Sequence, residues 1–585
     1  KIKMALSTPS ASPAVVVKEI DLTGGVPNVQ STTGAIVGNF RWGPAEQRVL
    51  IDNETTLVDT FASPDSANTI DFHSATYFLR YSGSLQVVRE VTSDAKNARA
   101  TRGQLATDSD GSLPTELVKN DADFDAQRSA LDSDSHTFIA RYPGALGNSL
   151  LVSICPPDGT AFNNWTYKDD FDAVPGTSDY ASKKNASNDE IHIAVVDHQG
   201  ELTGTKGSVL ETYPFVSIAS DAKNADGTTN FAIDVINARS EYVHMVDFDS
   251  NFRVARGNGI VDSGDNFGTT LLTDYDFEKG VNSGALTTTE YLAGFDLFED
   301  KDIVEVDFLI SPSMNSRTDQ TTIVNDLIST AQSTRKDCVV AASPARTDVI
   351  NLTNTATITN NITTTAGTFT NSSYLVMDGN FIKVYDKFND QYIQIPAASS
   401  TAGIMAATDL NRAPWFSPAG TRRGQYLGIT AISWSPTKSQ RDTLYKAAVN
   451  PIANIPGQGV LLFGDKTKLG RPSAFDRINV RRLFLVLERA IGKAAEQVMF
   501  EFNDEFTRAE FVNIVEPVLR EVKGRRGITD FRVVCDETNN TPAVVDRNEF
   551  IANIFIKPAR SINYVTLNFV AVRTGVDFEE VVGTV

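Results

Sequence analysis

The chain has 585 residues, 41% of them hydrophobic, 22% charged and 9% aromatic, too long for one core and too rich in apolar side chains for a disordered chain. Its net charge of −20 speaks against non-specific nucleic-acid binding, which wants a basic face. No run approaches the roughly 20 apolar residues of a membrane helix, and Cys155, Cys338 and Cys535 are too scattered for a disulfide framework or a metal motif and read as free thiols.

The charge is unevenly spread. Residues 96–300 hold 15 Lys and Arg against 33 Asp and Glu, a balance of −18, which leaves −2 for the rest of the −20. An acidic middle between near-neutral flanks reads as a solvated insertion in a core built from both chain ends.

In chain order, residues 14–20 (AVVVKEI) form a β-prone strand after a lead without core-forming residues, and such a strand must pair with something. A second strand at 33–40 is closed by the turn-like WGPAE at 42–46. Asn53 is placed to cap a helix burying Leu57, Val58 and Phe61; Asp71 is placed to cap another with Ala75, Phe78 and Leu79 inward; residues 84–91 return as a strand. Short strands broken by Asp, Gly, Asn and Ser fill 96–300, among them IHIAVVDH at 191–198 and FAIDVI at 231–236. At 303–312 a buried-type strand restarts an α/β pattern, with Ile323, Val324, Leu327, Ile328 and Ala331 as a helical face and residues 337–345 as the next strand.

The Thr/Asn-rich stretch 351–373 has few large apolar side chains and is expected to be a long flexible loop; its sequons at Asn351, Asn361 and Asn371 arise by composition. Thr437 and Gln440 fit a capping box for a helix ending near Asn450. A helix over 478–495 lines up Leu483, Leu487, Ala490 and Ala494, and one over 502–522 puts Phe506, Ala509, Val515, Val518, Leu519 and Val522 on one side, with Pro517 expected to kink or divide it. Strands are expected at 531–535, 549–556 and 561–572. The fold class is α+β or α/β multidomain: residues 1–26 with 381–585 as an inner core, 27–95 with 301–380 as a middle α/β domain, and 96–300 as a β-rich outer insertion of one or two lobes.

Patterns that carry chemistry are weak. His73, His136, His192, His198 and His244 contain no HExxH, and His192 and His198 flank a strand that holds them about 20 Å apart, so surface or strand-end positions are expected. Gly459 to Thr467 imitates a phosphate loop but inserts Asp465 before Lys466, and its apolar middle suits a strand ending in a polar turn. Asp121, Asp123, Asp125 and Asp132 imitate a calcium loop, yet Ala126 stands where Gly is needed and the bidentate Glu is missing. Gly257 and Gly259 are only a glycine pair. No catalytic residue, cofactor or metal is expected.

Several stretches resemble the contractile-tail sheath family, which includes myophage tail sheaths and the sheaths of contractile bacteriocins and type VI secretion. They are VVVKEID at 15–21, TTGAIVGNFRWGPAEQ at 32–47, DTFASPD at 59–65, LQVVREV at 85–91, IPAASSTAGIMAATDLNRAPWFSPAG at 395–420, NPIANIPGQGVLLFGDKT at 450–467, FDRINVRRLFLVLERAI at 475–491, FEFNDEFTRAEF at 500–511 and DFRVVCDETNNTP at 530–542. Departures stand at Ser12 to Ala14, where a Pro-Gly often precedes the first strand, and at Ala397 and Ala398, in place of a Pro-Ser-type turn.

The resemblance implies a non-enzymatic subunit of a helical homo-oligomer around a tail tube, with tube, baseplate and tail-terminator proteins as partners, assembled in the host cytoplasm and carried in the virion. It further implies that strands at both ends of the chain complete sheets on neighbours. Val15, Val16, Val17, Lys18, Glu19 and Ile20 would form the N-terminal arm, and Asn563, Tyr564, Val565, Thr566, Leu567, Asn568, Phe569 and Val570 the C-terminal one. Both are apolar on both faces, as inserted strands are. Arg508, Glu510, Arg520 and Lys523, on the side of the 502–522 helix expected to be exposed, are candidates for facing the tube. Two rival readings are a virion-displayed or secreted adhesin, suggested by the β-rich middle, and an acidic-site hydrolase.

Overall fold

The structure, a computed structural model, describes residues 32–100, 117–133, 136–248, 260–268 and 272–563. They form two compact units, residues 32–485 with 561–563 and residues 486–560. The first arm, residues 15–20, and all of the second except Asn563 lie outside the described residues.

The larger unit is organised by a six-stranded sheet in the order Leu375–Met377, Val339–Ala342, Phe308–Ile310, Gly34–Gly38, Leu85–Arg89, Arg48–Ile51. All neighbours are parallel except the edge strand Arg48–Ile51. Helices cover both faces, so the inner strands are apolar on both sides. Ala35, Val37, Val340 and Ala342 face a core with Ile323, Val324, Leu327, Ile358 and Ile362. Ile36, Val339 and Ala341 face another with Phe72, Phe78, Ala402 and Met405. Gly34 has a steric reason: a Cβ there would stand 2.7 Å from the Phe78 ring. Gly34 is in register with both Leu85 and Phe308, so chain from either side of the acidic stretch enters one sheet.

Within 96–300, strands Thr273–Asp276, Leu150–Cys155, Glu190–Asp197 and Ser208–Ser217 make an antiparallel sheet, and Arg99–Ala100, Phe138–Ala140 and Val243–Met245 a smaller one. Both supply a core that includes Phe138, Val152, Ile193, Val195, Met245 and Tyr275. Residues 231–236, read as a strand, begin a helix, Ala232–Arg239. Over six residues an alternating pattern and a helical one overlap, and burial of Ala232, Ile233, Val235 and Ile236 decides for the helix.

Two other expectations in this unit change. The Thr/Asn tract is not a loop but carries the helix Thr355–Thr368, started by Asn354, whose side chain accepts from the amides of Ala356 and Thr357 at 2.9 and 3.3 Å. Ile358, Ile362 and Ala366 recur every four residues and are buried, so a narrow apolar stripe suffices. Asp71 is no cap: the helix Thr69–Leu79 starts before it, and its carboxylate turns inward to accept from the Asn39 amide at 2.9 Å and the Tyr291 hydroxyl at 3.0 Å. Asn53 does cap Glu54–Phe61, and Thr437 with Gln440 closes the capping box of Lys438–Lys446.

In the smaller unit the helix Glu505–Gly524 packs along an antiparallel pair, Ile528–Val534 with Asn553–Pro558. Pro517 does not divide that helix; it is exposed, as is Asn513, whose unpaired carbonyl can reach water. Leu483, Leu487, Ala490 and Ala494 of the preceding helix, Ile478–Glu496, are all buried.

Candidate assembly interface

The helix Glu505–Gly524 buries Thr507, Arg508, Phe511, Val515, Leu519 and Val522. This stripe corrects the expected one: Phe506 is 76% exposed and Ala509 is exposed. It also corrects Arg508, which is buried and donates to the Asn503 side chain at 2.9 Å, fixing the turn ahead of the helix. Both errors are one rotation of the helix, since Arg508, Phe511, Val515 and Leu519 share a face only when the stripe starts a residue or two after Phe506. Glu510, Arg520 and Lys523 are exposed. Arg520 pairs with Glu516 at 2.8 Å and Lys523 with Asp530 at 3.1 Å, two surface contacts worth little each.

Among the described residues the sheet this helix covers has two strands, joined in register from Phe531 with Ile556 to Val534 with Asn553. Among the described residues no further strand pairs with either outer edge. A two-stranded sheet is marginal by itself, and unpaired edges are templates for added strands. The same unit exposes Met499, Phe500, Phe502 and Phe555, by 58%, 102%, 83% and 58%. Met499, Phe500 and Phe502 cluster in sequence and are candidates for surface that something else covers. The sequence held a signal for it, four large apolar residues between 499 and 506 in a polar setting.

The weak chemical motifs resolve into structure. His192 is not at the surface but fully buried, its ring stacked 4.5 Å from Phe171, with Nδ1 accepting from the Phe215 amide at 3.0 Å and Nε2 2.7 Å from the Ala173 carbonyl. Burial lowers its pKa. Asp121, Asp123 and Asp125 lie on a helix, Asp121–Ser133, with Asp121 held by Arg141; a helix spreads these carboxylates where a calcium loop would converge them. Residues 459–462 are a strand of the hairpin Ile452–Ile455 with Gly459–Leu462, and the Lys466 ammonium donates to the Tyr445 carbonyl at 2.8 Å. Gly257 and Gly259 lie outside the described residues. Among the described residues no three His, Cys, Asp or Glu side chains gather as a metal site, and no helix is long and apolar enough to cross a membrane. The three cysteines are buried free thiols.

The chain is 32% identical to the tail sheath protein of Enterobacteria phage T4, an alignment covering 98% of this chain and 99% of that protein. It belongs to the tail sheath family. The tail sheath protein of Vibrio phage KVP40 is 30% identical over 98% of this chain and 99% of its own length. Residues 284–468 match the phage tail sheath protein central domain, and residues 471–571 the phage tail sheath C-terminal domain. The fold matches the crystal structure of the sheath tail protein from Listeria innocua, with a TM-score of 0.53 at 13% identity over 91% of this chain and 93% of that one. The sheath subunit is therefore a structural component of a contractile phage-type virion tail, with a mixed α/β, multidomain fold. The adhesin reading finds no support in these relatives.

Proposed function

We propose that copies of this subunit polymerise helically around a tail tube by lending β-strands to one another. Residues 15–20 and 563–570 of each copy would add to the outer edges of the sheet Ile528–Val534 with Asn553–Pro558 on neighbouring copies. The observation that carries this reading is that sheet: two strands, a helix on one face, and two edges with no strand beside them among the described residues. Each added strand would make four to six ladder hydrogen bonds at about 1 kcal/mol apiece, modest singly and tenacious when repeated along a polymer.

Contraction is then rigid-body movement of the folded units while the lent strands stay paired, and the work comes from the tighter packing of subunits against one another in the compact state. No nucleotide, metal or catalytic side chain enters. The domain scheme read from the sequence supports an inner core against the tube and an acidic 96–300 segment pointing outward, where like charge keeps the surface soluble. Glu510, Arg520 and Lys523 stay candidates for the tube side; Arg508, being buried, is a positioning residue for its own loop. Tube, baseplate and tail-terminator proteins are the partners of this reading, which needs neither nucleic acid nor membrane insertion, and assembly takes place in the host cytoplasm.

Negative-stain microscopy tests it: the full chain gives regular tubes or stacked rings, and the chain without residues 1–20 stays as soluble monomers. Polymers that form equally well without that segment would refute strand lending.

A further inference from the structure

Tyr445, Asp465 and Arg477 meet in the larger unit. Arg477 Nη1 donates to Asp465 Oδ1 at 2.9 Å and to the Tyr445 hydroxyl at 2.5 Å. The Tyr445 hydroxyl lies 3.1 Å from the same carboxylate oxygen. Asp465 is 5% exposed, and its second oxygen accepts from Ser417 Oγ at 3.2 Å and from Ser561 Oγ at 2.7 Å. With its amide oxygen turned to this group, Asn563 accepts from Arg477 Nη2 at 3.1 Å and stands 2.9 Å from the Tyr445 hydroxyl, whose single proton serves Asp465 or Asn563. Burial, with Asp465 beside it, pushes the Tyr445 hydroxyl up to about 12, so it keeps that proton at neutral pH.

Ser561 and Asn563 bring no apolar surface to this contact, and Ile562 between them is 82% exposed. The segment is held by polar side chains at alternate positions, the period of an extended chain. Hydrogen bonds to a partly buried charged pair are stronger than neutral ones and tightly directional. A contact of that kind fixes the position of Ser561 and Asn563 on the larger unit.

We propose that Tyr445, Asp465 and Arg477 form a clamp for residues 561–563 of the same chain, fixing the root of the C-terminal arm so that every subunit presents its strand from the same place. The inference rests on the strand-lending reading. Its value to assembly is preorganisation: a fixed root spends less entropy when the strand finds its neighbour.

The test uses the full chain with Ile562→Cys carrying a spin label, the native cysteines being buried, with and without Ser561→Ala and Asn563→Ala. Those two side chains lie outside the core, so the fold survives their loss. Below the assembly threshold the label should be immobilised in the parent and mobile in the double variant, with Tyr445→Phe between them. The threshold concentration of the double variant should rise by about ten-fold, as loss of one or two charge-assisted hydrogen bonds implies. A spectrum unchanged by the double variant, or a freed label with an unchanged threshold, would overturn the clamp. Deletion of residues 564–585 separates the two ideas: assembly that survives it refutes strand lending and leaves the label result standing.

Discussion

Arg482 grips Asp409 through Nη1 and Nη2 of its guanidinium, tying the helix Ile478–Glu496 to the helix Ala398–Asn411. The two side chains are 5% and 4% exposed. Arg482 also donates to the Met405 carbonyl at 3.0 Å and lies 4.6 Å over the Phe308 ring, on the six-stranded sheet. Asp409→Ala therefore leaves a buried guanidinium without its carboxylate and should cost about 3–5 kcal/mol of stability. The double change Asp409→Leu with Arg482→Met should cost much less, because it removes both charges. Urea unfolding of the three proteins checks the order.

Stability should fall from about pH 4 to about pH 7 through Asp378. This carboxyl is buried at the end of the sheet, accepts from Ser343 Oγ at 2.9 Å and Thr401 Oγ1 at 3.1 Å, and burial raises it from 3.8 to about 7. A folded value above the unfolded one means that the folded chain holds the proton more tightly. The contribution is full below the unfolded value and is lost as pH rises through the folded one. Asp71, raised to about 6, and Glu90, raised to about 8, both by burial, act in the same direction. Asp378→Asn, an amide that stays neutral, should gain about 1–3 kcal/mol of stability over the parent between pH 5 and pH 8. Thermal unfolding at the two pH values reads the difference.

The Thr/Asn helix gives a sharp local test. Asn354→Ala removes the side chain that satisfies the first amides of Thr355–Thr368 and should cost about 1 kcal/mol, while Asn354→Asp or Asn354→Ser should cost little. If the tract were a loop, all three changes would be neutral in the same unfolding assay.

That tract shows where sequence reading runs out. Composition marks it as loop-forming, but packing needs only three small or branched side chains on one stripe, and Asn354 outside the apparent pattern starts the helix. The parallel strands were legible because burial on both faces leaves continuous apolar runs, as at 34–38 and 339–342. Helix caps at Asn53 and Thr437 were legible because their chemistry is local. The face of the helix Glu505–Gly524 was misjudged because Phe506 counts as core in any apolar tally, whereas Arg508 takes the inward position. The group around Asp465 carries no local pattern: Tyr445, Arg477 and the segment with Ser561 and Asn563 reach it from three places in the chain.

The central claim is that chain ends are shared between copies. Single cysteines placed in turn at positions 15–20, each combined with Phe555→Cys on the exposed face of the strand Asn553–Pro558, test it directly in assembled material. Oxidation should give a ladder of covalent dimers, trimers and longer chains at one or more alternate positions, because strand pairing brings every second residue opposite its partner. A bridge that forms only within single subunits, with no ladder at any position, would contradict the account.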